Sequence, residues 1–323
     1  REHMDLCCKP VLISTERLTM KISAEDITKK RIRTYLSIVF GILYIPWIIG
    51  MIIPSLGDTI YTMISFPVVF MGTPALAVFI TRKMTKDTAP LHFSPRIFEN
   101  KKAILFSALL PGAAVFLGTV LFFLIFPDDL DFHGSYISET YGAFGAPQDI
   151  ELTIGSMFLI GLIVYAISAA AFPIWYIALG EDIGWQGYML PLLCRKMPVK
   201  CAVIINGTLW GLAHAPLIYY GMNYGADYFG APYTGIFMMI FVTIVLGIWM
   251  SYITLKIKNC MYAAMIHGAV DIIGEAGAWI SLSTKSSLLG PTPSGIIGLS
   301  VLLIGAVILF FKMPCDCKLQ VLK

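Results

Sequence analysis

Three apolar stretches of this chain are interrupted by side chains of the types that hydrolytic chemistry uses. The first interruption is Gly180-Glu181-Asp182-Ile183-Gly184-Trp185-Gln186-Gly187-Tyr188. If a helix runs through it, Asp182 and Gln186 share a face at four residues' separation. Gly184 and Gly187 would then let another helix approach closely. Taken by itself, the same run reads more readily as a cytoplasmic loop, with solvated acids and turn glycines. The second interruption is Trp210-Gly211-Leu212-Ala213-His214-Ala215-Pro216, which puts Trp210 and His214 one turn apart. A lone histidine of this kind is most simply a packed one. The third is His267, Asp271 and Glu275, which recur every four residues and so line one helical face. An ionisable group at mid-bilayer costs about 2.5–3.5 kcal/mol on insertion scales. Three on one face of an apolar helix therefore imply a use, because the apolar stretches offer few cations for a structural ladder.

Glu181, Asp182, His214, His267 and Asp271 together permit two hydrolytic designs. Glu181, His214 and His267 have the right types to hold a zinc ion and leave a position open for water. Without a metal, Glu181 can act as general base on a water that His214 orients, while His267 stabilises the oxyanion. In both designs water attacks a polarised carbonyl. The sequence has no Gly-x-Ser-x-Gly elbow and no serine beside a histidine, and its cysteines lie away from the histidines in sequence.

The elements that must position these residues are membrane helices. Hydrophobic residues make up 57% of the 323 and charged residues 13%, with mean hydropathy +0.78. A soluble domain carries about twice that charge. The net charge of +3 is too small to suggest a nucleic-acid partner. Apolar blocks at 34–53, 60–80, 103–126, 154–179, 202–220, 234–255, 261–280 and 294–311 predict an all-α, polytopic bundle of about eight spans. Helices are required because each satisfies its own backbone within one segment, and the alternating strands of a barrel are missing. No short apolar core precedes Thr34, so no cleavable signal peptide is expected. Pro46, Pro67, Pro74 and Pro173 lie within spans and predict kinks.

Charge predicts the orientation. With eight spans, the basic residues at 29–33, 82–102, 195–200, 256–258 and 312–323 all face one side, taken as the cytoplasm together with both termini. Asp128, Asp129, Asp131, Glu139, Asp149 and Glu151 fall on the other side, where Lys285 is the lone basic exception. Cys7, Cys8, Cys194, Cys201, Cys260, Cys315 and Cys317 lie on or near the cytoplasmic side, so no disulfide framework is expected. Cys315 and Cys317 could also bind metal or carry a lipid.

Glu181-Asp182-x-x-x-Gln186, Trp210-x-x-x-His214 and His267-x-x-x-Asp271, in this order and each at a span, resemble the signatures of the CPBP (Abi) intramembrane proteases. That family includes the type 2 CAAX prenyl endopeptidases. The run EDIGWQGYMLP at 181–191 is similar to the Glu-Glu-x-Gly-Trp-Arg-Gly-Tyr stretch of bacterial members. The resemblance covers roughly residues 152–280. It implies an intramembrane endopeptidase whose site opens toward the cytoplasm. Glu181 would be its acid/base, His214 the partner on water, and His267 and Asp271 the oxyanion stabilisers or metal ligands. The sequence departs from the pattern at two positions. Asp182 replaces the second glutamate, and Gln186 replaces an arginine, which removes a fixed cation from beside two acids. Glu275 is outside the signature.

The implied domain plan is a cytoplasmic segment at 1–33, N-terminal membrane helices at 34–151, a catalytic core at 152–280, and a last span with its tail at 281–323. Expected partners are the lipid bilayer and a membrane-associated protein or peptide substrate, and the membrane is the plasma membrane if the host is bacterial. Zinc is the one cofactor in view. The alternative reading is non-catalytic, a proton-coupled transporter or a binding protein of the bacteriocin-immunity kind. Transporters also place acids and histidines at mid-membrane, though usually in paired halves. Here every such cluster lies in the second half.

Overall fold

A computed structural model describes residues 15–141, 151–170 and 172–313, by backbone alone at 15–24, 67, 140–141, 168–170 and 172–177. Every regular element among the described residues is a helix, joined by one isolated bridge between Leu130 and Ser281. The helices are α1 (Thr15–Ile52), α2 (Gly57–Ser65), α3 (Pro67–Thr85), α4 (Lys101–Ile125) and α5 (Ser135–Tyr141) in the first half. They continue as α6 (Ile154–Ala170), α7 (Phe172–Gly184), a π turn (Trp185–Met189), α8 (Leu190–Cys194) and α9 (Val199–Ala213). The last are α10 (Ala215–Tyr219), α11 (Tyr233–Ile257), α12 (Met261–Trp279) and α13 (Ile296–Lys312).

Among the described residues three helical stretches are long and apolar enough to cross a membrane: Glu25–Ile52, Lys101–Ile125 and Tyr233–Ile257. A fourth forms if Pro54–Ser65 and Val68–Thr85, bent by 65° to one another, count as one span. The bend has a local cause. Phe66 sits at φ −59°, ψ 122°, the extended conformation that the residue before Pro67 must adopt. Pro67 then opens α3 at a position where its missing N–H costs nothing. Pro46 and Pro74 lie inside unbroken helices.

The fifth predicted span is likewise composite and breaks at His214 between α9 and α10. The fourth takes in α6 and the first part of α7, with residue 171 outside the described residues. The shorter apolar helices Val199–Ala213 and Ile296–Lys312 fall below the roughly 20 residues that span hydrocarbon. Among the described residues Cys194, Cys201 and Cys260 form no disulfide. Cys7, Cys8, Cys315, Cys317, Asp149, Lys318 and Lys323 lie outside the described residues, and the kink expected at Pro173 falls on residues described by backbone alone.

α12 is the centre of the bundle, packed against α4, α6, α7 and α11. Its residues from Met261 to Val270 are all buried, as a helix apolar on most faces should be. Small residues set the close contacts elsewhere. A Cβ on Gly207 or Gly211 of α9 would come within 2.8 Å or 2.5 Å of an α11 Cα, that of Ile244 or Ile240. The hydroxyl of Thr243 donates to the Gly207 carbonyl at 2.9 Å across the same seam.

The connection at 86–100 ties the π turn to the start of α12. The His92 N–H donates to the Gly187 carbonyl (3.1 Å), and the His92 carbonyl accepts from the Cys260 N–H (2.7 Å). The Asn259 amide pairs with both backbone groups of Ser94 (3.0 and 2.9 Å), and the Tyr262 hydroxyl donates to the Ile97 carbonyl (2.7 Å). Buried Asp87 adds α1 to the same junction, through Arg31 (3.1 Å) and the Tyr188 hydroxyl (3.1 Å).

Candidate active site

The Glu181–Asp182 run is helix, not loop. α7 continues through both acids to Gly184, and each carboxylate is 1% exposed. The glycines that suggested a turn serve packing instead. A Cβ on Gly180 would lie 2.5 Å from the Met71 carbonyl, and one on Gly184 would lie 2.9 Å from the Pro74 backbone. Both therefore let α3 lie flat against α7.

α12 brings His267 to these acids. His267 Nδ1 is 3.3 Å from Asp182 Oδ2, and Nε2 is 3.8 Å from Glu181 Oε2 and 3.6 Å from Asp271 Oδ2. One imidazole thus faces three carboxylates, two from α7 and one from its own helix. Among the described residues no lysine or arginine pairs with any of the three. Along the α12 face, exposure rises from His267 (side chain 6%) to Asp271 (41%), and Glu275 beyond it is exposed. The four-residue spacing read in the sequence places His267 and Asp271 in contact.

α9 supplies the other wall. The Trp210 indole N–H donates to Glu181 Oε1 at 3.3 Å, and the Trp210 ring lies edge-on to His267 with centroids 5.1 Å apart. His214 stands where α9 ends and α10 begins. Its backbone N–H turns to Gly211, and its ring Nδ1 lies 2.9 Å from the Trp210 carbonyl. A carbonyl only accepts, so Nδ1 must carry the hydrogen and Nε2 is left as a bare acceptor. Phe70 of α3 packs edge-on against the same ring, with centroids 4.8 Å apart. Neither the Trp210–Glu181 bond nor the Phe70 contact was signalled by spacing, because each joins residues far apart in the chain.

Gln186 lies in the π turn, so the α-helical face shared with Asp182 does not apply to it. It is fully buried, and its amide oxygen accepts from the Ser251 hydroxyl of α11 at 3.0 Å. Its amide nitrogen and Asp182 Oδ1 meet no hydrogen-bond partner among the described residues.

Among the described residues no three His, Cys, Asp or Glu side chains group closely enough to hold a metal ion. His267 gives one nitrogen to Asp182 and turns the other to two carboxylates, and His214 is anchored on the Trp210 backbone. What the arrangement offers is a buried carboxylate pinned by an indole, an imidazole oriented by a second acid, and a bare imidazole nitrogen nearby.

Residues 162–273 match the family model described as Type II CAAX prenyl endopeptidase Rce1-like. The matched stretch begins within α6 and ends within α12. It contains Glu181, Asp182, Gln186, Trp210, His214, His267 and Asp271, and leaves out Glu275 and everything before α6. No curated protein matches the chain.

Proposed function

We propose that this chain is an intramembrane endopeptidase of the CAAX-processing type, in which Glu181 acts as the general base on water. The observation that carries the reading is the buried Glu181, fixed through Oε1 by Trp210 while Oε2 faces His267, inside the stretch that matches a protease family. Each group has a task. Glu181 Oε2 takes a proton from water, and the bare Nε2 of His214 accepts the second water hydrogen and so aims the oxygen. The water oxygen bonds to the substrate's carbonyl carbon. His267, as an imidazolium whose Nδ1–H is oriented by Asp182, donates from Nε2 to the oxyanion that forms. Glu181 then passes its proton to the leaving amine as the peptide C–N bond breaks. Asp271 borders the cleft beside His267, in a supporting place on the oxyanion side.

Cleavage of a farnesylated peptide ending in a Cys-aliphatic-aliphatic-X motif by the purified protein tests the reading, with an unprenylated twin as the comparison. Turnover of the farnesylated peptide alone supports CAAX processing, and turnover of both supports a broader peptidase. Turnover of neither returns the chain to the transporter or immunity-protein class.

The same reading has eight crossings with both termini cytoplasmic, α2–α3, α6–α7 and α9–α10 each counting as one. The one-sided basic loops support it. Reporter fusions after Asp129 and after Lys200 should report opposite faces of the membrane, and the same face for both would exclude this topology.

A further inference from the structure

A tyrosine from outside the matched stretch ends against Gly184, three residues beyond Glu181 on α7. Tyr35, on α1, is fully buried, and its hydroxyl meets no hydrogen-bond partner among the described residues. Its ring is held by two aromatic neighbours of the π turn, edge-on to Trp185 with centroids 5.6 Å apart and tilted to Tyr188 at 5.8 Å. The hydroxyl oxygen lies 2.5 Å from the point a Gly184 Cβ would occupy.

That point belongs to the Glu181 face of α7. Residues three apart in a helix are surface neighbours, and each Cα–Cβ bond tilts toward the helix N-terminus. The space left by glycine at 184 therefore opens toward Glu181, and Tyr35 fills it with a polar atom. If Tyr35 were only filler, phenylalanine would keep both ring contacts and spare the chain a buried donor without a partner.

We infer that Tyr35 is a catalytic residue, whose hydroxyl donates to the water that Glu181 deprotonates. The water's two hydrogens then go to Glu181 and His214, one lone pair attacks the substrate carbonyl, and the other accepts from Tyr35. The assignment rests on Glu181 being the base. It draws α1 into a site that the matched stretch alone would assign to α7, α9 and α12.

The test sets Tyr35→Phe beside Glu181→Gln in purified protein, with the farnesylated peptide as substrate. The expected result for Tyr35→Phe is a fall in kcat of about 10²-fold, as for loss of one well-placed donor, with KM and melting temperature unchanged. Full kcat in Tyr35→Phe, or a loss confined to KM, overturns the assignment. So does a raised melting temperature, which would mark the hydroxyl as an unpaired burden, or a lowered one, which would make it structural. The thermal comparison needs no substrate. If Glu181→Gln keeps its turnover, the base is misassigned and Tyr35 falls with it. If Glu181→Gln is inactive while Tyr35→Phe is normal, only Tyr35 is wrong.

Discussion

Two pairs of buried acids lie toward opposite ends of α12, and they are held in opposite ways. Asp129 is 1% exposed and Asp131 fully buried. Asp129 accepts from the Ser281 hydroxyl (2.5 Å), the Thr284 N–H (2.8 Å) and the Thr284 hydroxyl. Asp131 accepts from the backbone of His133 (2.9 Å) and from Ser135. Each carboxylate is saturated at both oxygens, by loop groups and, for Asp131, by the first residue of α5. Glu181 and Asp182 are as deeply buried, yet their side-chain contacts run from 3.3 to 3.8 Å, and one Asp182 oxygen has no partner among the described residues. Burial of an acid therefore does not mark a site by itself. A saturated carboxylate is a clasp, whereas one held loosely among groups that can also bind water retains capacity for a substrate.

Substitutions can break this contrast. The largest effect is expected at Glu181. Glu181→Gln keeps the shape and removes the base, so turnover should fall by about 10²–10⁴-fold with little change in melting temperature. Asp129→Ala should do the reverse. It strands the donors of Ser281 and Thr284, so stability should drop by about 2–3 kcal/mol while turnover per folded molecule is unchanged. Denaturation and kinetics on both variants would show the roles exchanged if the contrast is false. A smaller effect is expected at Asp271, whose place beside His267 an amide can also fill. Asp271→Asn should retain activity within about tenfold, and a loss as deep as that of Glu181→Gln would promote Asp271 to an essential charge.

The smallest effect concerns the connection that binds the π turn to α12. Burial, assisted by Lys258 and Arg195, lowers the pKa of His92 from 6.5 to about 4. Its neutral form is favoured in the folded protein, so the stabilisation is complete above pH 6.5. It is lost as pH falls toward 4, because the unfolded chain takes up the proton first. Wild type should lose melting temperature over that interval, and His92→Asn should lose less. Parallel curves would remove His92 from the acid response.

The residues of the site were more legible in the sequence than the way they are held. His267 and Asp271 declare themselves by spacing alone, because a four-residue period has one meaning on a helix. Glu181 and Asp182 were misread on their own, since two acids flanked by glycines look like a turn. Only the partners that fill the glycine gaps, Met71, Pro74 and Tyr35, show that the run is packed helix, and those lie more than a hundred residues away. Asp129 and Asp131 were read as ordinary outer-loop acids, because a saturated carboxylate and a solvated one have the same spelling. Three long apolar spans were plain from composition. The composite ones were not, because a break such as that at His214 needs only a local change in which N–H meets which carbonyl.

The turn at Trp185–Met189 holds one residue more than an α-helix needs, with the Leu190 N–H reaching back five positions to the Trp185 carbonyl. Each residue advances an α-helix by about 100°. Deleting one of the five removes that extra residue and returns the turn to the ordinary α form, with Glu181 and Asp182 in place before it and Leu190, Leu192 and Leu193 of α8 still directed into the interior they fill. A deletion within α8 itself has no such slack and swings every side chain after it by that angle. An engineer grafting this segment into another scaffold would find its spare length here and nowhere else in the run.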